Sequence, residues 1–349
     1  MTIPTPCSQV RSGAPLTWTA VLVLALGLAM HAAEAAKKAG AAPAATAAPP
    51  AHDYSKDEVH ILKVQGNLYM LVGAGGNITV HAGDEGVLLV DSGVAQMSDK
   101  VLAAIHSLSD KPIRYIINTH FHADHTGGNE TVAKAGMTIA GGNVVGDIGA
   151  SAANQAAVFA FQTVLDRMSA PAGNERATAQ GSWPTEVYTT PERKIFFNGE
   201  GIVMMHIADA HTDGDTMVFF RRSDVISTGD IFVTNGYPFI DVEHGGNIQG
   251  ELAGLNKIIE LAIPKDLQED GTLVIPGHGR LCDVADVVFY QEMVTIIRDR
   301  VQDLINKGKT LVQVKAARPT LDYDPRYGTR PGSADRFVEA IYKSLSAKH

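Results

Sequence analysis

Six consecutive residues, His120-Phe121-His122-Ala123-Asp124-His125, place four possible metal donors directly after the apolar run Tyr115 to Ile117 and just before Gly127-Gly128. Imidazole and carboxylate are donors that zinc accepts. A tight turn at a strand end can aim alternating side chains at two neighbouring ions, whereas one ion could not comfortably reach all four. The spacing therefore predicts a pair of ions. It also demands a fold that leaves one strand end open and brings further ligands to it.

The rest of the chain reads as a scaffold for such an edge. Short β-type runs broken by Gly and Asn, namely Val59 to Val64, Leu68 to Val72, Asn77 to His81 and Val87 to Val90, predict consecutive antiparallel strands. Val101, Leu102, Ile105 and Leu108 then recur at helical spacing before the strand at Tyr115. The same succession returns later: strands at Val203 to Ile207, Met217 to Phe220 and Val225 to Ser227, a helix carrying Leu252, Leu255, Ile258 and Ile259, then Leu273 to Ile275. Two sheet-plus-helix halves pack most economically as an α/β fold of four layers, an α/β/β/α sandwich. Between the halves, Ala150 to Trp183 is rich in Ala, Gln and Ser and reads as a helical lid. After His278, the positions Val287, Tyr290, Val294, Ile297, Val301 and Leu304 mark a long amphipathic helix packed on the core.

The run from His120 to Gly128 resembles the signature of the metallo-β-lactamase superfamily. Its other expected elements follow in order: His211 in Ala-His-Thr-Asp-Gly-Asp, Asp230 in Ser-Thr-Gly-Asp-Ile and His278 in Ile-Pro-Gly-His-Gly. The resemblance spans about Val59 to Cys282 and implies the metallo-β-lactamase fold. It further implies that His120, His122 and His211 hold one metal, that Asp124, His125 and His278 hold the other, and that Asp230 bridges them. Each of the three later residues lies just after an apolar run, so strand ends can carry them all to one edge. The implied cofactors are two divalent ions, zinc first, with iron or manganese as alternatives.

Other residues compete less well. His206 lies inside a strand and reads as a packed histidine, while His60, His81, His106 and His244 lack ligand-like spacing. Cys282 reads as a buried thiol. Asp91 at the end of Val87 to Val90 either orients a ligand histidine or shapes the Asp-Ser-Gly turn. Tyr237 and Asn247 are candidates to bind substrate or its oxyanion in the metal-edge cleft, against the plainer reading of a loop shaped by Gly and Pro.

Paired ions lower the pKa of a shared water and polarise the bond under attack, so hydrolysis is the expected chemistry. Asp124 doubles as the residue that accepts and returns a proton. The expected substrate is a small molecule with an ester, thioester, lactone or amide-type bond. Zinc β-lactamases typically place Cys, Ser or another residue where Asp230 stands, and the aspartate resembles glyoxalase II-like thioesterases and lactonases. β-Lactam hydrolysis and a mononuclear-iron oxygenase resembling persulfide dioxygenases remain as alternatives.

The formal net charge of −9, without a Lys/Arg-rich run, argues against a nucleic-acid partner. Residues 1–36 read as a signal peptide, with Arg11, an apolar stretch from Ala20 to Met30 and the small-x-small site Ala33-Glu34-Ala35. That stretch falls well short of the ~20 residues of a membrane span, so no stable span is expected after leader removal. A periplasmic or secreted location follows. Residues 37–53 read as a disordered Ala/Pro-rich linker, 54–282 as the catalytic domain and 283–349 as a C-terminal helical extension packed on it. Cys7 and Cys282 are the only cysteines, so the mature chain has no internal disulfide to rely on.

Overall fold

Every residue of the strand Gly86–Val90 is buried, which requires a sheet interior covered on both faces. The computed structural model describes residues 52–138, 154–171, 173 and 175–346. The expected leader and nearly all of the expected linker lie outside these residues. In a seven-stranded sheet, β1 (His60–Lys63), β2 (Leu68–Val72), β3 (Ile78–Gly83), β4 (Gly86–Val90), β5 (Ile113–Ile117), β6 (Ala157–Phe161) and β7 (Glu186–Tyr188) lie side by side in chain order. Pairing is antiparallel from β1 to β4 and parallel from β4 to β7. Parallel neighbours need a crossover, and helix α1 (Ser98–Leu108) supplies it between β4 and β5. The short helices α2 (Ala123–Thr126) and α3 (Asn129–Lys134) follow β5, and α4 (Gln162–Ser169) follows β6.

The second sheet repeats the device. β8 (Glu192–Phe197), β9 (Glu200–His206), β10 (Thr216–Phe220) and β11 (Val225–Ser227) form an antiparallel meander, and β12 (Leu273–Ile275) joins β11 in parallel. Helix α5 (Ile248–Leu261) lies in that crossover, and β13 (Cys282–Asp283) closes the edge. Then come α6 (Val284–Asn306), α7 (Leu311–Ala316), α8 (Asp324–Tyr327) and α9 (Ser333–Ser346). Asp283 starts α6 with a capping box shared with Asp286.

Alternation along the strands sorts side chains into layers. Leu88 and Val90 of β4, with Leu68, Met70 and Ile117, face Ile202, Met204, Val218, Phe220 and Ile275 of the second sheet. Val87 and Leu89 point the other way and pack with Val101 and Ile105 of α1. On the far side, Met205, Met217, Ile226 and Val274 are covered by Leu252, Leu255 and Ile258 of α5 and by Val287, Tyr290, Val294 and Ile297 of α6. These are the four expected layers, each fully buried large apolar side chain contributing about 1.5–3 kcal/mol. The anticipated stripe on α6 is this contact, and Phe337, Val338 and Ile341 of α9 join the same cluster. Among the described residues no helix is long and apolar enough to cross a membrane.

One expectation is overturned. The segment read as a helical lid instead contributes β6 to the first sheet, between β5 and the edge strand β7, and only Gln162–Ser169 of it is α-helical among the described residues. Its sequence, Ala-Val-Phe-Ala-Phe, hides a strand behind alanine. Phe159 fills the inter-sheet layer, while Ala160 is small enough for Val164 and Met168 of α4 to close over it. The edge strand β8 also escaped notice, because charged Glu192, Arg193 and Lys194 dilute its alternation.

Candidate metal centre

The end of β5 is held by buried polar groups rather than by apolar packing. Asp91 adopts a left-handed backbone (φ 64°) at the end of β4 and aims its carboxylate across the sheet. There Oδ1 accepts from the Thr119 backbone N–H at 2.8 Å and Oδ2 from the Thr119 hydroxyl at 2.7 Å. Asn118 and Asn129 exchange a reciprocal pair of amide hydrogen bonds of 3.0 and 2.8 Å. The single turn α2 hangs from the His122 carbonyl, which accepts from the N–H groups of His125 and Thr126. Gly76 lies flat against this turn: a Cβ there would fall 2.3 Å from the His125 ring.

These supports fix which nitrogen of each imidazole faces inward. Asp91 Oδ2 lies 2.8 Å from His125 Nδ1, and Asp241 Oδ2 lies 3.0 Å from His122 Nε2. The carbonyl of Phe239 takes the Nδ1–H of His211. Thr119 spends its own proton on Asp91, so it accepts from His120 Nδ1 at 3.0 Å. Every one of these partners can only accept, so the second nitrogen of each ring is left to face the centre.

What converges there is the set named from the sequence. His120 Nε2, His122 Nδ1 and His211 Nε2 cluster within 4.8 Å of one another, as do donors of Asp124, His125 and His278. Asp230 reaches both groups, with Oδ1 3.2 Å from His125 Nε2 and Oδ2 3.4 Å from His278 Nε2 and 3.9 Å from His211 Nε2. Four of the seven residues come from the end of β5 and three from loops of the second sheet.

The arrangement fits divalent cations on grounds of its own. His120 Nε2 is buried without a hydrogen-bond partner. His122 Nδ1 and His211 Nε2 stand 2.9 Å apart with lone pairs converging, an arrangement that a cation stabilises. Burial, reinforced for His120 by neighbouring imidazoles, pushes His120 below its usual range and His211 down to about 4, so both are neutral donors at pH 7. Burial also opposes charge on His278, but Asp230 and Asp124 outweigh it and hold that ring at about 9. Desolvation would raise Asp230, yet His125 and His278 keep it well below the carboxylate range. Asp124 is likewise held at about 2, because His278 and His125 overcome its burial. The centre thus sets the neutral rings of His120 and His211 beside ionised carboxylates, while Asp230 and its neighbours draw positive charge onto His125 and His278, and imidazole with carboxylate is a donor set suited to zinc.

Remaining candidates fall into place. His206 is stacked on Phe161 at 3.5 Å, away from the centre. Cys282 is buried, and its thiol lies 3.2 Å from the Arg280 carbonyl. Asn247 caps α5 through the Gln249 N–H. Asp91 both shapes its turn and orients His125, so the two readings of it were compatible. Asp241, which also holds His244 Nδ1 at 2.7 Å, was not signalled by the sequence.

Tyr237 needs correction. Its ring lines the metal cleft, but its hydroxyl turns away, lying 3.1 Å from the Thr320 carbonyl and 2.9 Å from Asp324 Oδ1, while the ring stacks on Phe337. An oxyanion therefore finds no donor there. Tyr237→Phe is expected to lower unfolding free energy by about 0.5–1.5 kcal/mol in urea titration, and to leave turnover within about twofold. A large loss of turnover with unchanged stability would restore a chemical role.

A sequence model of the metallo-beta-lactamase superfamily matches residues 71–278. A linear primary-alkylsulfatase from Pseudomonas sp. (strain ATCC 19151) is 51% identical over 45 residues, which are 13% of this chain and 8% of that protein. The solved stereoselective inverting sec-alkylsulfatase Pisa1 from Pseudomonas sp. aligns with a TM-score of 0.55 and 16% identity over 83% of this chain and 51% of the other. A double mutant of the sec-alkyl sulfatase PisA1 gives a TM-score of 0.56 at the same identity and coverage. The chain spans about half the length of these solved proteins. Likeness at such identity shows the fold.

Proposed function

The chain belongs to the metallo-β-lactamase superfamily, and on that premise we propose that it is a metal-dependent hydrolase of a small molecule, holding two divalent ions, zinc in the first instance. The observation that carries this reading is the convergence of seven donors from two sheets, with the inward nitrogens fixed by acceptor-only neighbours. His120, His122 and His211 would hold one ion, Asp124, His125 and His278 the other, and Asp230 both. Such ions, when bound, lower the pKa of water and polarise the bond under attack.

The chain's own groups supply the rest. The side chain of Asp124 is 40% exposed, against 13% for Asp230, so it is the ligand carboxylate open to the cleft. It is placed to take the proton of an attacking water and return it to the leaving group. Asp91, Asp241 and the Phe239 carbonyl hold the imidazoles in orientation throughout. Esters, thioesters, lactones and β-lactams are candidate substrates, and the alkylsulfatase relatives add sulfate esters. The leader-like features of residues 1–36 support an exported enzyme.

Metal analysis of the purified chain, followed by a panel of lactones, thioesters, β-lactams, alkyl sulfates and phosphodiesters, tests the proposal. About two zinc-like ions per chain and hydrolysis without oxygen consumption are expected. A single redox-active iron with oxygen uptake would favour the oxygenase alternative and sink this one.

A further inference from the structure

Arg330 stands in the loop between α8 and α9, beyond residues 71–278 that the superfamily model matches. It nevertheless lines the cleft of about 390 Å³ onto which His122, Asp124, Asp230 and His278 open. The same residue lines an adjoining cavity of about 160 Å³ with Phe239, Ser333, Arg336 and Phe337. Tyr237 and Phe239 belong to both cavities, so the two are ends of one groove with Arg330 at the seam.

The guanidinium is uncommitted. Of the nearby cations, Arg280 is paired with Asp286 and Arg318 with Asp324, while Arg336 donates to the Pro331 carbonyl at 3.3 Å. Arg330 has no carboxylate or carbonyl partner among the described residues. The fork of a guanidinium matches two oxygens of a carboxylate or sulfate, and it is placed here in a chain whose net charge is −9. Beside it Phe239 is 55% exposed, an open aromatic face in the groove, and Ser333 Oγ is buried without a hydrogen-bond partner.

We propose that Arg330 is a specificity-determining residue of this cleft: it receives an oxyanion of the substrate while an apolar stem lies on Phe239. The oxyanion is a carboxylate remote from the scissile bond or a sulfate ester that is itself cleaved. This inference rests on the hydrolase reading for the purpose of the groove, but not for the existence of the anion site.

Calorimetric titration of the metal-loaded full chain with hexanoate, hexanesulfonate and neutral hexanamide tests it without turnover. At least one anion is expected to bind about tenfold more tightly than the amide. Arg330→Ala should erase that preference, Arg330→Lys should restore part of it, and Arg336→Ala should reduce it less. A preference for the sulfonate points to the sulfate ester and a preference for the carboxylate to the remote acid. Equal anion affinity in wild type and Arg330→Ala, with two ions retained, would overturn the proposal. In kinetics, the variant should raise KM for the anionic substrate more than it lowers kcat. Anion binding that depends on Arg330 in a chain that hydrolyses nothing would sink the hydrolase reading and leave the anion site standing.

Discussion

Asp230→Asn is expected to lower bound metal from about two ions per chain to one or none and to reduce kcat/KM by more than about 10²-fold. Asn keeps the shape of Asp but loses its charge. Asp230 is the one carboxylate whose oxygens approach donors of both groups, at 3.2 Å from His125 and at 3.4 and 3.9 Å from His278 and His211. Loss of residues that merely orient a ligand typically costs 10–100-fold in affinity or activity, so a shared ligand should cost more. The fold should survive, since the backbone around Gly277 is built to the outline of this side chain: a Cβ on Gly277 would lie 2.0 Å from Asp230 Oδ1. Elemental analysis with parallel kinetics gives the answer. Retention of two ions with undiminished turnover would remove Asp230 from the centre.

Asp91→Ala should be the most destabilising change at a residue that supports the centre without being one of its seven donors. It strips the partner from buried His125 Nδ1 and from both hydrogen-bonding groups of Thr119, and breaking a buried pair costs about 3–5 kcal/mol. Alanine at a left-handed backbone adds about 1–2 kcal/mol more. Asp91→Asn separates the two effects. Asn tolerates that backbone and still accepts from Thr119, so most stability should return while metal affinity stays about 10–100-fold weak. Chemical denaturation and competitive metal titration measure the two quantities independently. Should Asp91→Ala denature at the wild-type midpoint, the support assigned to Asp91 is wrong.

The ligand set was legible because the motifs at His120 to Gly128, His211, Asp230 and His278 resemble the superfamily signature and each follows an apolar run that becomes a strand, and the paired crossovers α1 and α5 were legible because their apolar spacing changes from two to between three and four. The orientation of the rings was not. His125 is held by a residue 34 positions away and His122 by one 119 positions away, and no local pattern announces such partners. β6 was lost because alanine carries no β signal even where Phe159 is a core residue. Tyr237 was drawn towards the cleft by its nearness to Asp230 in sequence. What decides its hydroxyl is Thr320 and Asp324, more than 80 positions on.

Because the donors divide between the end of β5 and loops of the second sheet, ions at the centre would fasten one sheet to the other. Ligand binding adds stability by mass action, about 2.7 kcal/mol when free ligand is 100 times its dissociation constant. The resistance of the sandwich to opening along its inter-sheet layer would then be set partly by the surrounding metal activity. With Cys282 the only cysteine among the described residues, and free, metal supply would become a determinant of lifetime as well as of catalysis.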